Sequence, residues 1–162
     1  MDLHIFTTGG TFDKLYFDAL SEFQIGEPMA PALLEEAGVT LSYEVTSLLK
    51  KDSLEITEDD RALIVQAIAA SKAQHIVLIH GTDTMTLTAE ALASVAGKTI
   101  VLTGAMQPAR MHHTDARFNL GLAVAAVQLL AEGVYVAMNG HIFRAGEVIK
   151  NRAQGRFEAR EQ

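Results

Sequence analysis

The chain has 162 residues, 49% of them apolar and 20% charged, with no cysteine and a formal net charge of −7. That length fits one ordinary domain, so residues 1–162 are expected to form a single catalytic unit. The missing cysteine excludes disulfides, thiolate zinc sites, iron–sulfur clusters and cysteine nucleophiles, and the acidic balance argues against a nucleic-acid backbone as partner.

No apolar run reaches the ~18–20 residues needed to cross a bilayer. Met1-Asp2 leads straight into LHIFTT without a basic and apolar leader. A soluble, cytoplasmic protein with no membrane contact is the resulting expectation.

Short apolar runs alternate with segments of helical period, the pattern of βαβ units around a parallel sheet. The first strand is LHIFT (3–7). A helix from Pro28 to Ala37 follows and stops at Gly38. LSYEV (41–45) reads as the second strand. Thr57-Glu58-Asp59-Asp60 opens the next helix as a near capping box, and Ala62 to Ala73 continue it. HIVLIH (75–80) and TIVLTG (99–104) flank a helix from Thr86 to Ala96. Neither strand shows clean polar alternation, so both faces are expected to be buried. The longest helix runs from Thr114 to Ala131, before the strand VYVAM (134–138). HIFRAGEVIK, with a tight turn at Ala145-Gly146, predicts a small hairpin or a return strand. The charged tail NRAQGRFEAREQ is expected to be partly mobile. The fold class is therefore three-layer α/β/α with a mostly parallel sheet.

In such sheets ligands bind beyond the carboxyl ends of the strands. Three successive ends here carry small and hydroxyl-bearing residues: Thr7-Thr8-Gly9-Gly10-Thr11, His80-Gly81-Thr82-Asp83-Thr84 and Thr103-Gly104-Ala105-Met106-Gln107-Pro108. The second stands directly before a helix, where backbone amides favour a carboxylate or a developing oxyanion. Singly, each is equally ordinary chemistry: Gly-Gly turns a chain and Thr caps a helix. TTGGT alone serves a phosphate as readily, although neither a GxGxxG fingerprint nor a Walker sequence is present.

The conjunction is more specific. TTGGT, HGTDTM, TGAMQP and MNG…VIK, in this order, resemble the bacterial L-asparaginase family over the length of its N-terminal domain. The resemblance implies an amidohydrolase that converts L-asparagine to aspartate and ammonia without metal or other cofactor. It puts the family's catalytic threonines on Thr11 and Thr82, its acid on Asp83 and its lysine on Lys150. A lid tyrosine that orients the first threonine falls on Tyr16. The substrate-binding serine falls on Ser53, with Asp52 as the neighbouring choice, and Gly10, Gly81 and Ala105 match backbone positions against the substrate. It further implies a homo-oligomer, dimer or tetramer, with a small molecule as the main partner.

A threonine hydroxyl is a weak nucleophile at neutral pH and needs a base or a favourable field. Thr11 is the expected nucleophile of a double displacement; the reversed assignment and direct attack by water at Thr82 stay open. Asp83 would orient Lys150 and bind the substrate's amino group. Amides at Gly10-Thr11 and Thr82-Asp83 would stabilise the oxyanion. Two further readings remain: a non-catalytic small-ligand or nucleotide-binding module, and an ammonia-supplying component of an amidotransferase.

His112, His113 and Asp115 read as a solvated loop entering a helix, since no third well-spaced ligand accompanies them. His80 is expected to be hydrogen-bonded within the core. Two departures from the family pattern stand out. The chain is expected to correspond to the family's N-terminal domain without the C-terminal one, as a natural short form or as a fragment, and Phe12 to Gly26 follows the family's lid only loosely.

Overall fold

A computed structural model describes residues 2–161. Its centre is a six-stranded sheet in the order β4-β1-β5-β6-β7-β8. The parallel strands are β1 (Leu3–Gly9), β4 (Tyr43–Lys51), β5 (His75–Ile79), β6 (Thr99–Thr103) and β7 (Gly133–Met138). The last, β8 (His141–Arg144), returns antiparallel along β7. Four helices cover the faces: α1 (Ala30–Glu36), α2 (Glu58–Ala70), α3 (Met85–Leu92) and α4 (Ala116–Leu129).

The alternation of side chains explains the three layers. Leu3, Ile5, Val77, Ile79, Val101, Tyr135 and Ala137 point to one face and pack under α1 and α4. Their neighbours Phe6, Ile76, Leu78, Ile100, Leu102, Val134 and Val136 point to the other, under α2 and α3. Both faces of the central strands are thus buried, as their unbroken apolar runs require. Thr57 caps α2 by accepting from the Asp60 amide while the Asp60 carboxylate accepts from the Thr57 amide, a complete capping box.

Strand order sets the site. From β1 the chain crosses to β4 on one side, then back to β5 on the other. The switch point lies at the carboxyl ends of β1 and β5, where crossovers diverge and leave a crevice.

Three expectations need correction. The strand read at 41–45 runs instead from Tyr43 to Lys51, because pairing with β1 carries on through its mixed polar sequence to Gly9. The return strand forms, but its turn is at Asn139-Gly140, with Asn139 at φ 54. Ala145-Gly146 does make a turn, yet the strand after it, β9 (Val148–Asn151), pairs with β10 (Arg156–Ala159). The charged tail is therefore structured as far as Ala159, with Phe157 only 2% exposed.

A further hairpin, β2 (Lys14–Phe17) with β3 (Glu22–Ile25), interrupts the first crossover. Nothing in the strand pattern of the sequence signals it. Among the described residues, no helix is long and apolar enough to cross a membrane.

Candidate active site

Two glycines bring the ends of β1 and β5 together. Gly10 sits at φ 73, and a Cβ there would lie 2.5 Å from the Gly81 Cα. A Cβ on Gly81 would in turn lie 2.7 Å from the Ser53 Cβ. Real Cβ atoms do not approach so closely, so only glycine allows the loops bearing Thr11, Thr82 and Ser53 to pack directly on one another.

Lys150 reaches this junction from β9. Its Nζ donates to Thr82 Oγ1 at 2.7 Å and to Asp83 Oδ1 at 2.7 Å. The same Asp83 oxygen lies 3.5 Å from Arg152 Nε. The Lys150 hydrogen bond is the first cause that holds the Asp83 carboxyl below its usual range; the charges of Lys150, Arg152 and Lys14 add to it against partial burial. Lys150 is kept in place by the β9–β10 pair, where it faces Phe157. The Phe157 amide donates to Asn139 Oδ1 at 2.7 Å, which ties this hairpin to the end of β7.

Ser53 opens a short 3-10 turn after β4 and is 4% exposed. Its Oγ accepts from the amides of Asp83 (3.0 Å) and Thr84 (3.3 Å), while the Thr84 hydroxyl donates to the Ser53 carbonyl at 2.7 Å. Asp52 forms an ion pair with Lys14 at 2.9 Å. Ala105 is buried, held between Gly104, whose carbonyl accepts from Asn119, and Met106, whose amide donates to Asp115.

Five expected residues, Gly81, Thr82, Asp83, Lys150 and Ser53, are thus joined by direct contacts, and Gly10 packs against them. Thr11 begins the turn after Gly10, half-buried, and its hydroxyl bonds no other side chain among the described residues. Tyr16 stands apart on the β2–β3 hairpin, 50% exposed, edge-on to Phe23 with 5.4 Å between ring centroids. Two expected oxyanion donors are already engaged. The Gly10 amide donates to the Lys51 carbonyl and the Asp83 amide to Ser53. Of the four expected donors, this leaves the amides of Thr11 and Thr82.

Sequence reasoning missed Lys14, Arg152 and Asp13. Asp13 is 1% exposed and accepts from the Met29 amide. Burial pushes its carboxyl up to about 6, against the pull of that amide and of the Arg110 and Lys50 charges. Arg110 clamps the base of the β2–β3 hairpin by donating to the carbonyls of Asp13 and Glu27. Nothing in the sequence flags these pairs, because each joins elements that only the fold brings together.

His80 behaves as expected of a core histidine. The Gly81 carbonyl 2.7 Å away can only accept, so Nδ1 carries the proton and Nε2 accepts from the Thr88 hydroxyl at 2.8 Å. Burial pushes the ring down to about 4, and it stays neutral.

A doubly wound α/β fold with threonine, lysine and aspartate gathered at its switch point defines the class of protein. A family model for the N-terminal domain of asparaginase matches residues 2–160, and the chain belongs to that family. The L-asparaginase of Thermococcus kodakarensis is 30% identical over 167 residues, covering 96% of this chain and 49% of the relative. A solved structure of the thermostable L-asparaginase from that organism is similar at a TM-score of 0.83 and 28% identity, over 98% of this chain and 51% of the other. A component of the glutamyl-tRNA(Gln) amidotransferase of Pyrobaculum aerophilum is 34% identical over 139 residues, covering 81% of this chain and 30% of the relative. The chain spans about half the length of the L-asparaginase relatives.

Proposed function

We propose that this chain is a cofactor-free amidohydrolase that cleaves the side-chain amide of a small carboxylate-bearing carboxamide of the L-asparagine type. The observation that carries the reading is the Thr82–Lys150–Asp83 cluster, with Lys150 Nζ at 2.7 Å from both partners. A phosphate-binding loop has no use for a lysine neutralised by a carboxylate and bonded to a hydroxyl.

In this reading the Thr11 oxygen attacks the amide carbon, and the Thr11 proton passes to the departing nitrogen, which leaves as ammonia. The ester formed on Thr11 is then hydrolysed by water, restoring the threonine and releasing the acid. Thr82, hydrogen-bonded to Lys150, guides the water and its proton, and Asp83 keeps Lys150 oriented. The amides of Thr11 and Thr82 face the developing oxyanion; one such donor is typically worth ~3–4 kcal/mol in a water-excluded site.

The test is ammonia release from L-asparagine, L-glutamine and succinamate. Thr11→Ala, Thr82→Ala and Lys150→Met are each expected to lower kcat/KM by about a thousandfold or more while the unfolding midpoint stays near wild type. Mass spectrometry of a quenched turnover should find the acyl group on Thr11, and an adduct on Thr82 would reverse the two roles. No ammonia from any carboxamide, with folded protein, would end the proposal.

The likeness to an amidotransferase component supports a second reading, in which the ammonia is delivered to a partner protein. A protein that co-purifies with the chain and raises its turnover would favour it.

A further inference from the structure

Thr11 and Thr82 stand on separate loops, and the segment that follows β6, residues 104–109, touches the backbone of both. At its start a Cβ on Gly104 would lie 2.3 Å from the His80 carbonyl oxygen, so the segment rests on the chain just before Gly81 and Thr82. At its end the Ala109 amide donates to the Phe12 carbonyl at 3.1 Å, on the turn that carries Thr11. Phe12 and Ala109 are both buried in one apolar cluster. The Thr11 hydroxyl bonds no side chain among the described residues, so backbone contacts of this kind set its place relative to Thr82.

The start of α4 holds the segment. The Asp115 carboxylate accepts the Met106 amide through Oδ2 at 2.9 Å and the Gln107 amide through Oδ1 at 3.0 Å. Asn119, one turn further, donates through Nδ2 to the Gly104 carbonyl at 2.9 Å and to Asp115 Oδ2 at 3.0 Å. The Thr114 hydroxyl donates to the Gln107 carbonyl at 2.9 Å. Packing alone does not call for these residues. Asn119 is 2% exposed, and the other buried residues of α4 are Ala, Leu and Val. A buried amide costs free energy unless it is bonded, whereas leucine would fill the same place without that demand. What the amide adds is a fixed direction for the Gly104 carbonyl and for Asp115.

We infer that Asp115 and Asn119 are positioning residues: through residues 104–109 they hold the Thr11 turn at a set separation from Thr82. The inference rests on the amidohydrolase reading of the site and adds to it what fixes the two threonines against each other. Neither side chain takes part in the bond changes. Hydrolysis of an ester on Thr11 needs its carbonyl carbon in reach of the water that Thr82 guides. Loosening the segment therefore slows the chemical steps more than it weakens substrate binding.

Asn119→Leu keeps the buried volume and removes the donor. Asp115→Ala removes the acceptor, whereas Asp115→Asn keeps Oδ1 for the two loop amides. On the carboxamide that wild type turns over fastest, Asn119→Leu and Asp115→Ala should each lower kcat by about thirty- to a hundredfold, with KM within about twofold. Asp115→Asn should recover most of the loss. Hydrogen exchange reads the link without turnover: the Ala109 amide should exchange about tenfold faster in both damaged variants, with the amides of β5 unchanged. Wild-type kcat in both variants, or a raised KM at unchanged kcat, would overturn the inference and leave the hydrolase standing. So would an activity loss that only follows global stability, with Ala109 as well protected as β5. Faster exchange at Ala109, but no ammonia from any carboxamide with wild type, would keep the tie between α4 and the Thr11 turn and overturn the hydrolase.

Discussion

Asp13 and His80 are both buried at the site's foundation, yet they pull stability in opposite directions with pH. The Asp13 carboxyl is raised from 3.8 to about 6, so its favourable contribution is complete below pH 3.8 and is lost as pH rises through about 6. His80 is lowered from 6.5 to about 4, so its contribution is complete above pH 6.5 and is lost as pH falls through about 4. Between these limits the two slopes offset one another. Replacing Asp13 by Asn retains an acceptor for the Met29 amide and removes the buried charge. Asp13→Asn is expected to be more stable than wild type by about 1–3 kcal/mol at pH 7.5. The gain should vanish near pH 4; urea unfolding at both pH values measures it, and an equal gain at each would contradict the assignment. None of this could be read from the sequence, where Asp13 is one acid among twenty. Thr82, Asp83 and Lys150 were legible only because their motifs resembled a known family's.

The elements divide along the same line. The parallel strands and their helices were legible because apolar runs and helical period both reflect burial. The β2–β3 hairpin was not: Tyr16, Phe17, Leu20 and Phe23 are each more than 40% exposed, so neither face shows the alternation that marks a half-buried strand. The β9–β10 pair was hidden in a charged tail because its main apolar anchor is Phe157. Two elements yield predictions. Arg110→Ala removes donors to both sides of the β2–β3 stem, Asp13 and Glu27. Limited proteolysis with chymotrypsin should then cut after Tyr16, Phe17 or Phe23 several times faster than in wild type, with global unfolding shifted by about 1–2 kcal/mol at most. Unchanged cleavage would mean that the ion pairs of Lys14 and Glu27 suffice to hold the stem. Asn139→Gly keeps the backbone at φ 54 accessible but deletes the acceptor for the Phe157 amide. It should lower kcat more than stability, because Lys150 hangs from that hairpin; a fall in stability with unchanged kcat would refute the link.

At the scale of the whole molecule, the sheet is built from contacts of unequal reach. β5 and β6 are joined by the short α3 crossover, whereas β1 waits for β4 and β5, which lie far along the chain. Loop closure disfavours early formation of such distant pairs. Ile100→Val in β6 is therefore expected to slow refolding, while Ile5→Val in β1 should mainly speed unfolding, each costing about 0.5–1.5 kcal/mol. Stopped-flow measurements that showed the reverse would place β1 in the folding nucleus. The interior position of β1 also bears on biosynthesis. At ~5–20 residues per second, on the order of ten seconds separates translation of LHIFTTG from that of HIVLI, its partner in the sheet. Over that interval a strand of high β-propensity and no acidic residue has β4 at most for a neighbour, and its other edge is a template for any other nascent copy on the same messenger. Expression with and without an excess of a nascent-chain chaperone is expected to give more soluble protein with it, and equal yields would refute this exposure of LHIFTTG.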